Sequence, residues 1–439
     1  MKKVLVLGAG LVAGPLVNYL LEHGYHVTVA SRTLSKAETL IGGHSNGKAL
    51  EFDITKTPEN LKDLVAETDL AVSLLPYIYH VDVAKQCIAH KKHLVTTSYV
   101  SDEMRALDAE AKAAGVVFLN ELGVDPGIDH MSAMKIIDRV HKAGGKIISF
   151  SSYCGGLPAP EANTNPYGYK FSWSPRGVLL AARNSGLYLK DGKKVFIPGE
   201  ELFKNYEIVD IETLGEFEGY PNRDSLKYID LYNIPETKSM FRGTLRNKGW
   251  CNTLIKFVEL GFLEENELDV KGKTYQDLMA MLIKSSDTSE IKKQVAKHLD
   301  LPEDSEIIKR FEWLDLFSTK TIPFEKSSPL DILVAVMLDK MQYEKGERDM
   351  LILQHEFIAE YPDRKEKIYS TMIDFGIKDG PSSMSRTVSL PAAIGVRLIL
   401  EGKITSTGVQ IPVTPEFYEP ILEELEQLDI VCEEKVVPL

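Results

Sequence analysis

The chain has 439 residues, 44% hydrophobic and 26% charged, an ordinary globular composition long enough for two or three domains. Its formal net charge is −13, from 51 Lys and Arg against 64 Asp and Glu, which argues against a nucleic-acid partner and requires any anionic ligand to find a locally basic pocket. Four sparse cysteines without C-x-x-C spacing imply a reducing, cytoplasmic setting, and no apolar run approaches the roughly 20 residues that would span a membrane.

Lys2-Lys3 leads into VLVLGAGLVAGPLVNYLLEHG. The strand Val4–Leu7 is followed by Gly8-Ala9-Gly10-Leu11-Val12-Ala13, the G-x-G-x-x-A form of the dinucleotide fingerprint, opening a helix that closes at Gly24. Gly8 permits the tight turn, Gly10 lets backbone approach a pyrophosphate, and Ala13 allows close helix–strand packing. Gly8, Gly10, Gly14 and Pro15 break the apolar run, and no convincing cleavage site follows, so no signal peptide is expected.

The next strand, His26–Ala30, ends in Ser31-Arg32-Thr33, where nucleotide folds commonly carry an acid for the ribose 2′-hydroxyl. A guanidinium between two hydroxyls, 22 positions beyond Gly10, suits a 2′-phosphate instead, so the expected cofactor is NADP(H). The plain alternative is a solvated loop arginine. Further strands are predicted at Ala49–Phe52, Leu70–Leu74, His93–Thr96 and Val116–Leu119, with helices between them, which implies a doubly wound, mainly parallel sheet. Polar and turn-forming residues recur at the strand ends: Asp53-Ile54, Leu75-Pro76-Tyr77, Ser98-Tyr99 and Asn120 to Asp129.

After about residue 130 the rhythm changes. A helix is expected from Met131 to Lys142, then the strand KIISFSSYCGG, scattered strands to residue 248, and a helical insertion from Trp250 to Phe317. A helix at Pro329–Met341 precedes two long strands joined by a Pro-Asp turn, and SSMSRTVSLPAAIGVRLILEG reads as a helix interrupted or started near Pro391. The helix PEFYEPILEELEQL comes last. The expected architecture is α/β: a Rossmann-type doubly wound domain at 1–128, with 395–439 packing back on it, an α/β domain at 129–248 and 320–394 that by fold analogy supplies substrate groups and a dimer surface, and a helical domain at 249–319. No HExxH, paired-Cys or EF-hand pattern occurs, and no metal is expected.

Several side chains are candidates for chemistry, each with a plainer reading. Asp125, before Pro126-Gly127, either faces a ligand or caps the following helix. Cys154 ends a strand before two glycines and is either an acid–base group or a small buried hydrophobe. Tyr99 either orients substrate or fills an interior, and His130 and His141 read as packed or solvated. Arg223 and Arg246 lie in loop-like sequence; they are either surface residues or the pair that a multi-carboxylate substrate would need.

With these residues in view, the chain resembles the saccharopine reductase family, the NADP-dependent, L-glutamate-forming saccharopine dehydrogenases of the aminoadipate route of lysine metabolism. The similarity runs nearly end to end and is densest in GAGLVAGPL, ASRTL, SLLPYIYH, TTSYVS, NELGVDPGIDH, FSSYCGGLPAPE, YPNRDS and FRGTLR. The departures (Ala9, Gly14, Pro175, Phe241) fall where contacts would be backbone or packing. The resemblance implies a variant Rossmann domain, with Gly8, Ala9, Gly10, Leu11, Val12 and Ala13 on the pyrophosphate and Ser31, Arg32 and Thr33 on the 2′-phosphate. It places Asp53 and Ile54 at the adenine, and Leu75, Ser98, Val124, Asp125 and Pro126 elsewhere on the cofactor. Ser98, Tyr99, Asp125, Arg223, Thr244, Leu245 and Arg246 would contact saccharopine, with Cys154 nearby. A homodimer is implied.

The expected activity joins L-2-aminoadipate 6-semialdehyde to L-glutamate as an imine and reduces it to saccharopine, reversibly. Asp125, Cys154 and Tyr99 are the acid–base candidates, and substrate amine with water is a fourth possibility. Two alternatives stay open: a sister imine reductase such as a carboxypolyamine dehydrogenase, and a non-catalytic NADPH-binding interaction protein.

Overall fold

The computed structural model describes residues 1–181 and 183–439, which form two compact units, Met1–Ile147 with Ile358–Leu439 and Ile148–Phe357. In the first unit the strands are β1 (Lys3–Leu7), β2 (His26–Ser31), β3 (Gly47–Glu51), β4 (Leu70–Ser73), β5 (His93–Thr96) and β6 (Val117–Leu119). They form a wholly parallel sheet in the order β6-β5-β4-β1-β2-β3, which the late strand Gly408–Gln410 extends beyond β6. The runs VLVL in β1 and LAVS in β4 are buried throughout, as strands covered on both faces must be. The strand order reverses between β1 and β4, which opens a crevice at their carboxyl ends.

The helix α1 (Gly14–Glu22) buries Leu16, Val17, Leu20 and Leu21 and packs on the helix Ser383–Leu400. That second helix corrects the expectation of a break near Pro391, because it runs continuously through the proline. Ser382 caps it by accepting from Ser385 N, and fourteen of its residues are buried. Their packing outweighs the one backbone hydrogen bond that proline forfeits. The Pro-Asp turn after Glu360 is present, closed by Tyr361 N donating to Arg364 O at 2.8 Å, and Lys365–Phe375 then pairs antiparallel with Glu433–Pro438.

The second unit is built on β7 (Lys146–Pro158), β8 (Gly186–Lys190), β9 (Lys193–Ile197), β10 (Glu207–Ile211), β11 (Gly215–Pro221) and β12 (Ser239–Arg246). The sheet order is β10-β11-β12-β7, then the strand Asp349–Glu360. β12 runs parallel to β7, with Thr244 beside Cys154, and antiparallel to β11, with Arg246 beside Glu218. The segment from Trp250 carries four helices: Trp250–Glu259, Tyr275–Leu282, Ile291–His298 and Glu306–Trp313. Among the described residues no helix is long and apolar enough to cross a membrane.

Candidate functional site

The crevice of the first unit gathers the fingerprint and the strand-end residues in one row. Across the sheet edge come Ser98-Tyr99 after β5, Leu75 after β4, Gly8–Ala13 after β1, Ser31–Thr33 at β2, and Asp53-Ile54 after β3. Gly8 has φ +111°, and a Cβ there would lie 3.0 Å from the Leu74 carbonyl oxygen, so the protein itself demands glycine. Gly10 differs: its φ is not positive, and a Cβ would meet nothing within 4 Å. The glycine therefore keeps backbone open toward the crevice, a cradle that fits a pyrophosphate. Ala13 is fully buried, and the Val12 carbonyl accepts a hydrogen bond from the Ser389 hydroxyl, which ties the loop to the helix behind it.

Arg32 is exposed and makes no ion pair with any described residue, although its charge acts on Asp53. Thr33 N donates to Ser31 Oγ at 3.3 Å, which holds the turn. Asp53 is committed locally. Its Oδ1 accepts from Thr55 Oγ1 at 2.7 Å and Thr55 N at 3.0 Å, and these bonds hold its carboxyl below the usual carboxylate range. Ile54 is buried in the hydrophobic core of the unit, which leaves its backbone for any ligand contact.

At the β4–β5 end lies a group that sequence reasoning passed over. The buried His80 bridges two serines, Nδ1 to Ser73 Oγ at 2.8 Å and Nε2 to Ser98 Oγ at 2.9 Å. Burial pushes its pKa down to about 4, so the imidazole is neutral near pH 7. Beside Ser98, Tyr99 donates its hydroxyl to Asp125 Oδ1 at 2.7 Å. Every residue from Asn120 to His130 is buried except Asp125. The helix Ile128–Lys142 draws on another carboxylate at its start: Gly127 N and His130 N donate to Asp129 Oδ1 at 2.6 and 2.8 Å. Asp125 thus presents its carboxylate with Tyr99, while Val124 and Pro126 are buried beside it.

In the second unit, FRGTLR is strand rather than loop, which corrects the expectation for Arg246. Arg246 is only 4% exposed, stacked 4.9 Å from the Tyr169 ring centroid and 5.6 Å from that of Trp250. Its Nη1 donates to Leu245 O at 2.7 Å, and its Nε has no partner among the described residues; nor does the Trp250 indole N–H. The cross-strand neighbour that would normally neutralise it is Glu218. That carboxylate is taken by the start of the next helix, accepting from Gly249 N at 2.6 Å and Cys251 N at 2.8 Å. The guanidinium is left buried, charged and without a carboxylate among the described residues, a state that calls for an anionic ligand.

Cys154 and Thr244 lie side by side in adjacent strands near Arg246. Gly155 has a packing reason, since a Cβ there would come within 2.7 Å of the Leu245 carbonyl oxygen. Burial pushes the pKa of the neighbouring Tyr220 up to about 12, so it is a neutral donor. Leu245 is fully buried and offers only backbone. Arg223 stands apart from Arg246: it is exposed, at φ +55°, two residues past β11. Pro221 pairs with Gly243, so Arg223 lies level with Phe241 and about 16 Å from Arg246 along the strand. The two arginines mark separate points on the sheet, not one clamp. Tyr169 and Trp250 escaped the sequence reading; their only signal was the unexplained density of aromatic and glycine residues in NPYGYKFSW and RNKGW.

A parallel sheet with a glycine cradle at its switch point, an exposed arginine at the end of β2 and, in the second unit, a buried guanidinium without a carboxylate among the described residues are the features of a dinucleotide-dependent oxidoreductase. Residues 4–119 match the saccharopine dehydrogenase NADP binding domain, and residues 123–430 match the saccharopine dehydrogenase C-terminal domain. A saccharopine dehydrogenase (NADP(+), L-glutamate-forming) of Schizosaccharomyces pombe is 43% identical over 100% of this chain and 99% of its own. The protein of that name from Saccharomyces cerevisiae is 42% identical over 99% of each. The structure of apo saccharopine dehydrogenase (L-Glu forming) from Saccharomyces cerevisiae superposes with a TM-score of 0.92 at 41% identity, covering 100% of both chains. The mitochondrial alpha-aminoadipic semialdehyde synthase of Bos taurus is 38% identical over 97% of this chain and 46% of its own. The chain belongs to the saccharopine dehydrogenase family.

Proposed function

We propose that this protein is an NADP-dependent saccharopine dehydrogenase of the L-glutamate-forming type. It condenses L-2-aminoadipate 6-semialdehyde with L-glutamate to an imine and reduces that imine to L-saccharopine, reversibly, in lysine metabolism. The observation that carries the reading is Arg246, a buried guanidinium with no carboxylate of its own among the described residues, in a chain matched end to end by glutamate-forming relatives. Saccharopine carries three carboxylates, and a planar guanidinium grips such a group with two parallel hydrogen bonds.

In this reading Gly8–Ala13, Ser31–Thr33, Asp53, Ile54, Leu75, Ser98 and Val124–Pro126 hold NADP(H). When bound, that cofactor supplies or accepts the hydride. Arg246 holds one substrate carboxylate, with Trp250 N–H and the Thr244 segment beside it, and Arg223 meets a more distant one. The Tyr99–Asp125 pair orients the amine and takes or returns a proton as the carbinolamine loses water. Cys154 shapes the pocket wall. A cytoplasmic homodimer completes the proposal; the sparse cysteines without C-x-x-C spacing suit a reducing compartment.

The test is to mix the protein with saccharopine and NADP(+) and follow NADPH absorbance, then run the reverse with glutamate and the semialdehyde. NADPH binding without turnover of either pair would favour a non-catalytic binding protein. Turnover only with other amine–aldehyde pairs would favour a sister imine reductase. Size-exclusion chromatography with light scattering tests the dimer.

A further inference from the structure

Glu121 is buried, at 5% exposed, and holds its backbone at φ +55°, in the left-handed region that residues with a side chain seldom adopt. Its surroundings explain why it is held there. Its backbone N–H donates to Ser98 O at 3.1 Å, and its Oε1 accepts from Val100 N at 2.9 Å. One residue therefore grips the chain on both sides of Tyr99. Its other oxygen, Oε2, lies 2.8 Å from Nε2 of His130, which is wholly buried in the first turn of the helix Ile128–Lys142. Glu121 and His130 stand at the two ends of the loop that carries Asp125. Inside that loop Gly123 N donates to Pro126 O and Ile128 N to Gly123 O, each at 2.9 Å, so it is already tightly wound.

We propose that the Glu121–His130 pair is a buried clamp that positions both members of the Tyr99–Asp125 pair: Tyr99 by fixing Ser98 and Val100, and Asp125 by closing its loop. Glu121 is a positioning residue, because its carboxylate is spent on Val100 and His130. A carboxylate with two fixed partners and a strained backbone is costly to bury, and a generic core residue would not need it. The clamp acts on the proton-handling residues and leaves the phosphate cradle at Gly8–Ala13 alone. This rests on the proposed reaction for its kinetic consequence, though not for its geometry.

The test uses Glu121→Ala and Glu121→Gln in the full chain, each alone and combined with Tyr99→Phe. A glutamine can still accept from Val100 N and donate to His130, so Glu121→Gln should retain saccharopine kcat/KM within about threefold. Glu121→Ala should lose roughly 10- to 100-fold, while NADPH affinity, titrated directly, falls by no more than about fivefold, because the loop holds only part of the cofactor and the phosphate cradle is untouched. On the Tyr99→Phe background the further loss from Glu121→Ala should shrink, as expected for residues acting through one pair. Parent-like kinetics in Glu121→Ala, or equal losses in Ala and Gln with a matching loss of NADPH affinity, would overturn the clamp. If Glu121→Ala gives no folded protein, His130→Phe fills the ring volume without the hydrogen bond. It should show the same split at three- to tenfold, and parent-like kinetics there would overturn the clamp equally. Should the parent itself not turn over saccharopine, the reaction assignment fails and a crystal structure decides the clamp. Tyr99 and Asp125 should then be out of hydrogen-bond reach in Glu121→Ala or His130→Phe, and an intact pair would sink it.

Discussion

Arg32 and Arg246 are both candidate anion receptors, and the fold prepares them in opposite ways. Arg32 stands in solvent at a strand end with no ion pair among the described residues. Arg246 is buried between Tyr169 and Trp250, and its natural cross-strand partner Glu218 is diverted to a helix start. In the first case water pays the cost of the charge until ligand arrives. In the second the desolvation cost is met during folding, so a bound carboxylate recovers it. Removing the two arginines should therefore have different consequences, for stability as well as for binding.

Arg246→Met should have the largest effect. Truncating one side of a buried, hydrogen-bonded charge pair costs about 2–5 kcal/mol, or roughly 30- to several-thousand-fold in saccharopine affinity. Methionine also replaces an uncompensated buried charge with an apolar chain, so the ligand-free variant should melt no lower than the parent. Steady-state kinetics paired with thermal melts would check both. A large drop in melting temperature, with saccharopine saturation unchanged, would make Arg246 a structural residue instead.

His80 sharpens the contrast, since the first unit buries a base in its neutral form where the second buries a charge. Its folded pKa of about 4 lies below the ordinary value of 6.5, so the unfolded chain binds more protons between those values. The contribution is complete above pH 6.5 and lost as pH falls toward 4, on the order of 3 kcal/mol in all. Replacing His80 with Gln should flatten the fall in melting temperature across that window. An identical pH profile in parent and variant would show that burial does not hold the imidazole neutral.

Arg32→Ala should weaken NADPH by about 1.5–3 kcal/mol, the worth of charged hydrogen bonds, and leave NADH nearly unchanged. Because Arg32 is exposed, melting temperature should not move. Equal losses for the two cofactors, in paired titrations, would remove the 2′-phosphate assignment. The smallest effect is expected at Cys154, where replacement by serine should reduce kcat less than tenfold, below the scale of general acid–base catalysis. Loss of one limb of the pH–rate profile in that variant would make the thiol a proton carrier.

Much of the first unit was legible because its determinants are local. Each strand is a short apolar run between turn residues, and the fingerprint is six consecutive residues whose conformational demands follow from glycine chemistry. Pro391 signals a helix boundary only through one residue's backbone preference, whereas the burial of most of its helix decides the matter. The glycine that makes the sequence around Arg246 look loop-like has a similar tertiary reason: Gly243 in β12, like Gly155 in β7, lets neighbouring strands approach closely.

By itself, the sequence determined the alternating β/α order of the first 120 residues, the glycine cradle, the arginine that replaces an acid after β2, and through long shared tracts the family. These depend on residues close together in the chain, or on resemblance that needs no geometry. Only the tertiary structure decided which carboxylates are already occupied. Asp53 is taken by Thr55, Glu218 by Gly249 and Cys251, Asp129 by Gly127 and His130, and Glu121 by Val100 and His130, while Asp125, half-buried, meets Tyr99. Whether a charged group is free to meet a ligand depends on what lies within about 3 Å of it. For Glu218, and for Glu121 in its bond to Val100, those partners come from 21 or more positions away in the chain, a distance over which no local sequence pattern carries information.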